Sequence, residues 1–150
     1  MIKKTLVYLV FMFLFQTCAV EPEPISYGID HCDFCRMKIM DARYGAEIVT
    51  QKGKTFKFDA IECLINYKKR NEIEESTLAW TMITDYTNPS QLVNASDCYY
   101  LRAKSLPSPM GMSLTGLTDQ KTAMEIQKEH KGEIYDWKEL NNEFDHLPDL

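Results

Sequence analysis

The feature that most limits what this chain can fold into is an apolar run at its start. Lys3 and Lys4 give a short positive lead, and Thr5 to Phe15 (TLVYLVFMFLF) is almost wholly hydrophobic. About eleven residues cannot cross a hydrocarbon core of roughly 30 Å. A basic start followed by an apolar stretch of this length reads as a secretory signal, removed from the mature protein. The competing reading is a buried N-terminal element, but Glu21-Pro22-Glu23-Pro24 follows closely and continues a packed element poorly. The segment that folds therefore starts near residue 18, outside the cytoplasm, where disulfides are permitted.

Residues 15–18, Phe-Gln-Thr-Cys, resemble the lipobox of bacterial lipoproteins, in which the cysteine becomes the lipidated first residue. Lipidation of Cys18 is the expectation, with 1–17 as signal peptide. Residues 18–28 then form a lipidated cysteine and a short acidic linker, and 29–150 the folded domain. Plain cleavage with Cys18 as an incidental thiol is the alternative. Acyl chains contribute about 0.8 kcal/mol per buried CH₂, so two or more anchor firmly. Cutting before Cys18 moves the net charge from −5 to −7, because two lysines and no acids are lost. Such a surface argues against nucleic acid as a partner.

The pattern of the remaining chain predicts an α+β fold. Ala46–Gln51 and Lys54–Asp59 alternate polar and apolar residues around Lys52-Gly53, a hairpin signal. Asp59 is placed to cap a helix running from Ala60 to Arg70, with Ile61, Leu64 and Ile65 on one face and a basic last turn. Leu78–Tyr86, Ser96–Ala103 and Glu133–Tyr135 read as strands. Asp119 leads a helix to His130, stopped by Gly132, and Trp137–Phe144 reads as a last helix. Both halves repeat a sulfur-bearing loop, strands and a helix with an acidic start and basic close. The expectation is two ββα-like lobes, about 29–75 and 76–145, in one compact domain.

Chemistry concentrates at His31-Cys32-Asp33-Phe34-Cys35-Arg36-Met37. A c-type haem needs C-x-x-C-H, and Arg36 stands where the histidine would be. A thioredoxin-like redox pair opens a helix, and the residues after Cys35 form a poor one. Structural zinc wants four ligands, and one C-x-x-C pair would need Cys63 and a histidine to complete it. A functionless Cys32–Cys35 disulfide is a further possibility. The fifth reading is Cu(I), a soft ion selected by thiolate and thioether donors. Cys35-x-Met37 places both donor types two residues apart, on one side of an extended segment. A second sulfur cluster, Pro109-Met110-Gly111-Met112, sits in a loop rather than on a helical stripe, and could supply a third donor from the second lobe. Against this stands the role of methionine as core filler.

Through these residues the chain resembles the NosL family, accessory copper lipoproteins of nitrous oxide reductase. The resemblance rests on the lipobox at Cys18, on CDFCRMKIMDARYGAEIVTQKGKTFKFDAIECL with its Cys-x-Met and Phe-Asp-x-x-x-Cys, on SPMGMSL, and on the later helix with KGEIYDWKEL behind it. It implies a two-lobed α+β fold with Cu(I) held by Cys35, Met37 and Met110. It also implies nitrous oxide reductase as client and a membrane-bound maturation complex as intermediary. Family members often carry glycine where this chain has Arg36. Cys32, His31 and Cys63 are secondary candidates: Cys32 as ligand, switch or disulfide partner, His31 as a ligand or an exposed loop residue, Cys63 as ligand or core. Cys98 reads as a small buried hydrophobe, and His130 and His146 as surface residues.

No Ser/His/Asp order, phosphate loop or carboxylate pair with a partner base points to catalysis. The expectation is a non-enzymatic Cu(I) metallochaperone, anchored by lipid and facing the periplasm. The alternatives are a periplasmic thiol–disulfide oxidoreductase using Cys32 and Cys35, and an interaction domain stapled by Zn(II).

Overall fold

Alternation in AEIVT sets the first sheet. Ala46 and Ile48 turn into the core, while Glu47 and Val49 lie on the opposite face. In the computed structural model, which describes residues 19–147, strand β1 (Ala46–Thr50) pairs antiparallel with β2 (Thr55–Phe58) around a tight turn. Gly53 adopts φ +78°, and its N–H donates to the Thr50 carbonyl at 2.8 Å. Strand β3 (Leu78–Thr84) pairs with the other edge of β1, with a bulge between Val49 and Thr50, and β4 (Leu92–Asn94) pairs with β3. The sheet order is β2-β1-β3-β4. The predicted strand at 78–86 thus joins the first sheet, a long-range pairing that its own sequence does not encode.

Helix α1 (Ile61–Arg70) follows the hairpin and buries Ile61, Leu64 and Ile65 against β1, β2 and the second sheet. Its N-cap is Ala60 and no side chain caps it, so the expected Asp59 cap is not made. Asp59 instead lies buried one residue earlier, where the Met40 N–H faces its carboxyl. Lys68, Lys69 and Arg70 close the last turn beside its exposed carbonyls.

The second sheet has the order β6-β5-β7, from β5 (Tyr99–Arg102), β6 (Leu114–Leu117) and β7 (Glu133–Asp136). Helix α2 (Gln120–His130) is capped by Asp119, which accepts the Thr122 N–H at 2.7 Å. It ends as the sequence predicts: Gly132 has φ +101°, and a Cβ there would lie 2.1 Å from the Arg102 carbonyl oxygen. Helix α3 (Trp137–Glu143) starts in a capping box between Asp136 and Glu139. One apolar cluster includes Ile48, Phe58 and Ile83 of the first sheet together with Tyr100, Leu114, Leu140 and Phe144 of the second half. The fold is α+β, as expected.

The signal segment and Cys18 lie outside the described residues. The acidic stretch after them does not hang free. The Val20 carbonyl accepts the Trp80 indole N–H at 2.7 Å, and the Glu23 N–H donates to Glu47 Oε1 at 2.9 Å. Lys57 Nζ donates to the Pro24 carbonyl at 2.9 Å, and Ile25 is buried in the core. Residues 20–25 form a strap across the outer face of the first sheet. Beneath it Glu47 is wholly buried and its Oε2 has no partner. Burial pushes the Glu47 carboxyl from 4.5 up to about 7, against the opposing pull of the Glu23 N–H and Lys57. Among the described residues no helix is long and apolar enough to cross a membrane.

Candidate metal centre

Segment 28–40 doubles back on itself without becoming regular strand. Gly28 N–H bonds the Ile39 carbonyl at 2.8 Å, Ile39 N–H the Asp30 carbonyl at 3.0 Å, and Cys32 N–H the Met37 carbonyl at 2.8 Å. At its tip, residues 32–36 form a turn closed by Arg36 N–H to the Cys32 carbonyl at 3.0 Å. The tip is tied to the hairpin: Asp33 N–H donates to the Lys57 carbonyl, and the Asp33 carboxylate accepts the Lys57 N–H, both at 2.8 Å. This docking carries the turn to the end of β2, where the first turn of α1 begins.

Three sulfurs meet there. The Sγ atoms of Cys32, Cys35 and Cys63 all lie within 4.8 Å of one another. Cys32 and Cys63 are fully buried, and Cys35 is half-buried, so one thiol of the three faces outward. Cys63 comes from the first turn of α1. The Cys63 thiol is aimed at the Cys32 sulfur, and the N–H groups of Cys35, Asp59 and Phe34 converge on the same atom. Together they hold the Cys32 thiol well below its ordinary value. Its counterpart moves the other way: Cys63, donating to Cys32 and buried beside it, is held firmly protonated. Burial raises Cys35, although the Met37 N–H facing its sulfur works against this. The site is three sulfurs within reach of one another, two buried and one reachable from solvent, with the surrounding N–H groups favouring negative charge on Cys32.

Arg36 stands in the left-handed region at φ +67°, where glycine is unstrained and other residues cost about 1 kcal/mol or more. The turn thus favours glycine at this position, and the chain places an arginine there instead. The Arg36 side chain is exposed and 3.8 Å from the Asp33 carboxylate.

Of the other candidates, Met37 is 48% exposed on the rim. Met110 and Met112 are half-buried and pack against the core cluster to which Cys32 and Cys63 belong. His31 is exposed and pairs only through its backbone with Lys38. Cys98 is buried apart from the trio, with its thiol donating to the Asn94 carbonyl at 3.2 Å and pushed up to about 12 by burial. The sequence alone ranks Cys63 below Met37. The Phe-Asp-x-x-x-Cys spacing behind a hairpin signals its place at a helix start, but only tertiary contact puts it against Cys32.

The sequence profile of the NosL family matches residues 27–144. The chain belongs to the NosL family. Among solved structures it is similar to the crystal structure of the copper chaperone NosL from Shewanella denitrificans, with a TM-score of 0.69 and 18% identity. The match covers 81% of this chain and 96% of that one, so this family member shares its fold over nearly the whole of that protein. A search of curated proteins gives no match.

Proposed function

We propose that this NosL-family protein is an extracytoplasmic Cu(I) carrier that holds the ion at the Cys32, Cys35 and Cys63 sulfurs and passes it on through Cys35. The observation that carries this reading is the trio itself: three sulfurs within 4.8 Å, two sealed and one open. Cu(I) favours soft donors in low coordination numbers. Binding displaces protons from the thiols, and the groups around Cys32 favour its deprotonated form. A sealed pair retains the ion, while an accessible third sulfur lets an incoming ligand attack by exchange. Met110 adds a thioether from the second half, and Met37 stands at the rim as a first or last contact during handover. Delivery to nitrous oxide reductase through its membrane maturation complex, and anchoring to the membrane at Cys18 on the periplasmic side, are part of the same proposal and rest on family resemblance.

The geometry disfavours the oxidoreductase. Thiol–disulfide exchange needs an accessible thiol of low pKa. Here the low-pKa thiol, Cys32, is fully buried, and the accessible one, Cys35, is raised by burial. A closed structural zinc site would need a fourth protein ligand, and the exposed His31 is not grouped with the trio.

The test is competition of the reduced full-length protein, in detergent, against a Cu(I) chelator of known affinity, beside Cys35→Ser and Cys63→Ser. One tightly held Cu(I) per chain, weakened at least tenfold in each variant, is expected. Tight binding that Cys63→Ser leaves untouched would remove the trio as the site and return the assignment to Cys35, Met37 and Met110.

A further inference from the structure

The next residue to Cys63 is a buried acid that takes no part in the thiol trio. Glu62 is 1% exposed in the first turn of α1, and its Oε2 has no hydrogen-bond partner. Its Oε1 accepts the Ser108 hydroxyl, 46 residues away and itself buried. Ser108 in turn accepts the Ser113 N–H at 2.9 Å, and its carbonyl accepts the Gly111 N–H at 3.0 Å. Ser108 and Ser113 bracket the Pro109-Met110-Gly111-Met112 turn. That turn is bent by Gly111 at φ +84° and Ser113 at φ +60°. The methionine loop is thus closed on itself at Ser108, and Ser108 is fastened to the carboxyl of the residue bonded to Cys63. The N–H groups of Met112 and Leu114 also face that carboxyl, so the acid grips the loop beyond Ser108 as well.

We propose that Glu62 is a positioning residue that holds the methionine loop so that the Met110 thioether can join the three thiols, and so sets the site's preference for Cu(I) over Zn(II). The proposal rests on the copper reading above. Zinc is satisfied by thiolates with a nitrogen, oxygen or water completing its tetrahedron. A thioether adds little for zinc, whereas it is a good ligand for Cu(I). Releasing the loop would withdraw a donor that only copper uses and leave the thiols in place.

The experiment measures both metals on the reduced full-length chain by chelator competition, for the native protein, Glu62→Gln, Glu62→Leu, Met110→Leu and the Glu62→Leu/Met110→Leu double variant. Glu62→Gln keeps an oxygen acceptor for Ser108 and is expected to bind both metals as the native protein does. Glu62→Leu and Met110→Leu are each expected to weaken Cu(I) about tenfold or more with Zn(II) unchanged. The double variant should be no weaker than either single one, because both remove the same contact. Equal loss of both metals in Glu62→Leu would show that the trio itself was disturbed and would overturn the proposal, as would no loss of either, or losses that add in the double variant. A native protein that fails to bind Cu(I) tightly would sink the carrier reading instead, a result distinguishable from all of these.

Discussion

Replacing Glu47 with glutamine should change how stability depends on pH. The carboxyl lies under the strap with an unfolded value near 4.5 and a folded value raised to about 7. The folded protein therefore binds more protons than the unfolded chain between those limits, and stability falls as pH rises through them. Each pH unit between the two values corresponds to about 1.4 kcal/mol, so the loss between pH 4.5 and pH 8 is about 3 kcal/mol at most. Glutamine keeps the acceptor for the Glu23 N–H but leaves an amide N–H₂ where Oε2 had no partner, a penalty that does not vary with pH. Absolute stabilities are thus a poor comparison, and the difference between the proteins is a good one. Urea unfolding at pH 5 and pH 8 should show Glu47→Gln gaining on the native protein by about 2–3 kcal/mol across that interval. Titratable groups away from Glu47 are common to both proteins and cancel. Parallel pH curves would refute the reasoning, because they would mean that Glu47 is solvated and that the strap does not seal it.

Three further changes probe separate parts of the fold. Gly132→Ala sets a Cβ 2.1 Å from a backbone oxygen at a φ of +101°, and should lower stability by at least about 3 kcal/mol, read as a drop of about 10 °C in thermal midpoint. Trp80→Phe removes the indole donor that holds Val20, and should speed exchange of the Glu23 amide about fivefold, the equivalent of one net hydrogen bond, with core amides unaffected. Arg36→Gly relieves the left-handed residue in the C-x-x-C-x-M turn but loosens the unfolded chain, and denaturant midpoints should report a gain of about 0.5 kcal/mol.

Elements written locally were legible in the sequence. The hairpin around Gly53, the helix from Asp119 to Gly132 and the helix after Asp136 each carry their own periodicity, cap and stop. The strand Leu114–Leu117 was not legible, because four residues with a glycine give too short a pattern and its burial comes from packing under α1. The pairing of β3 with β1 follows from chain topology rather than from either segment. At the site, the sulfur-rich stretches announced soft-metal chemistry, yet the partnership of Cys32 with Cys63 depends on Asp33 docking onto Lys57 across 24 residues. Buried acids are also invisible to pattern reading: Glu47 and Glu62 occupy positions that periodicity alone leaves open, and only the finished packing shows that strap and helix enclose them.

The shared core has a mechanical meaning. A carrier whose halves meet at a wet seam can open like a clasp and spill what it holds. Here Ile48 and Phe58 from one half lie in the same apolar mass as Leu114 and Phe144 from the other, and parting them would expose much of that interior to water. On the proposed carrier reading, a core shared by the two sheets would leave substitution at the outward Cys35 sulfur as the route by which an ion is released. The unloading rate would then belong to the chemistry of the incoming ligand rather than to a motion of the protein.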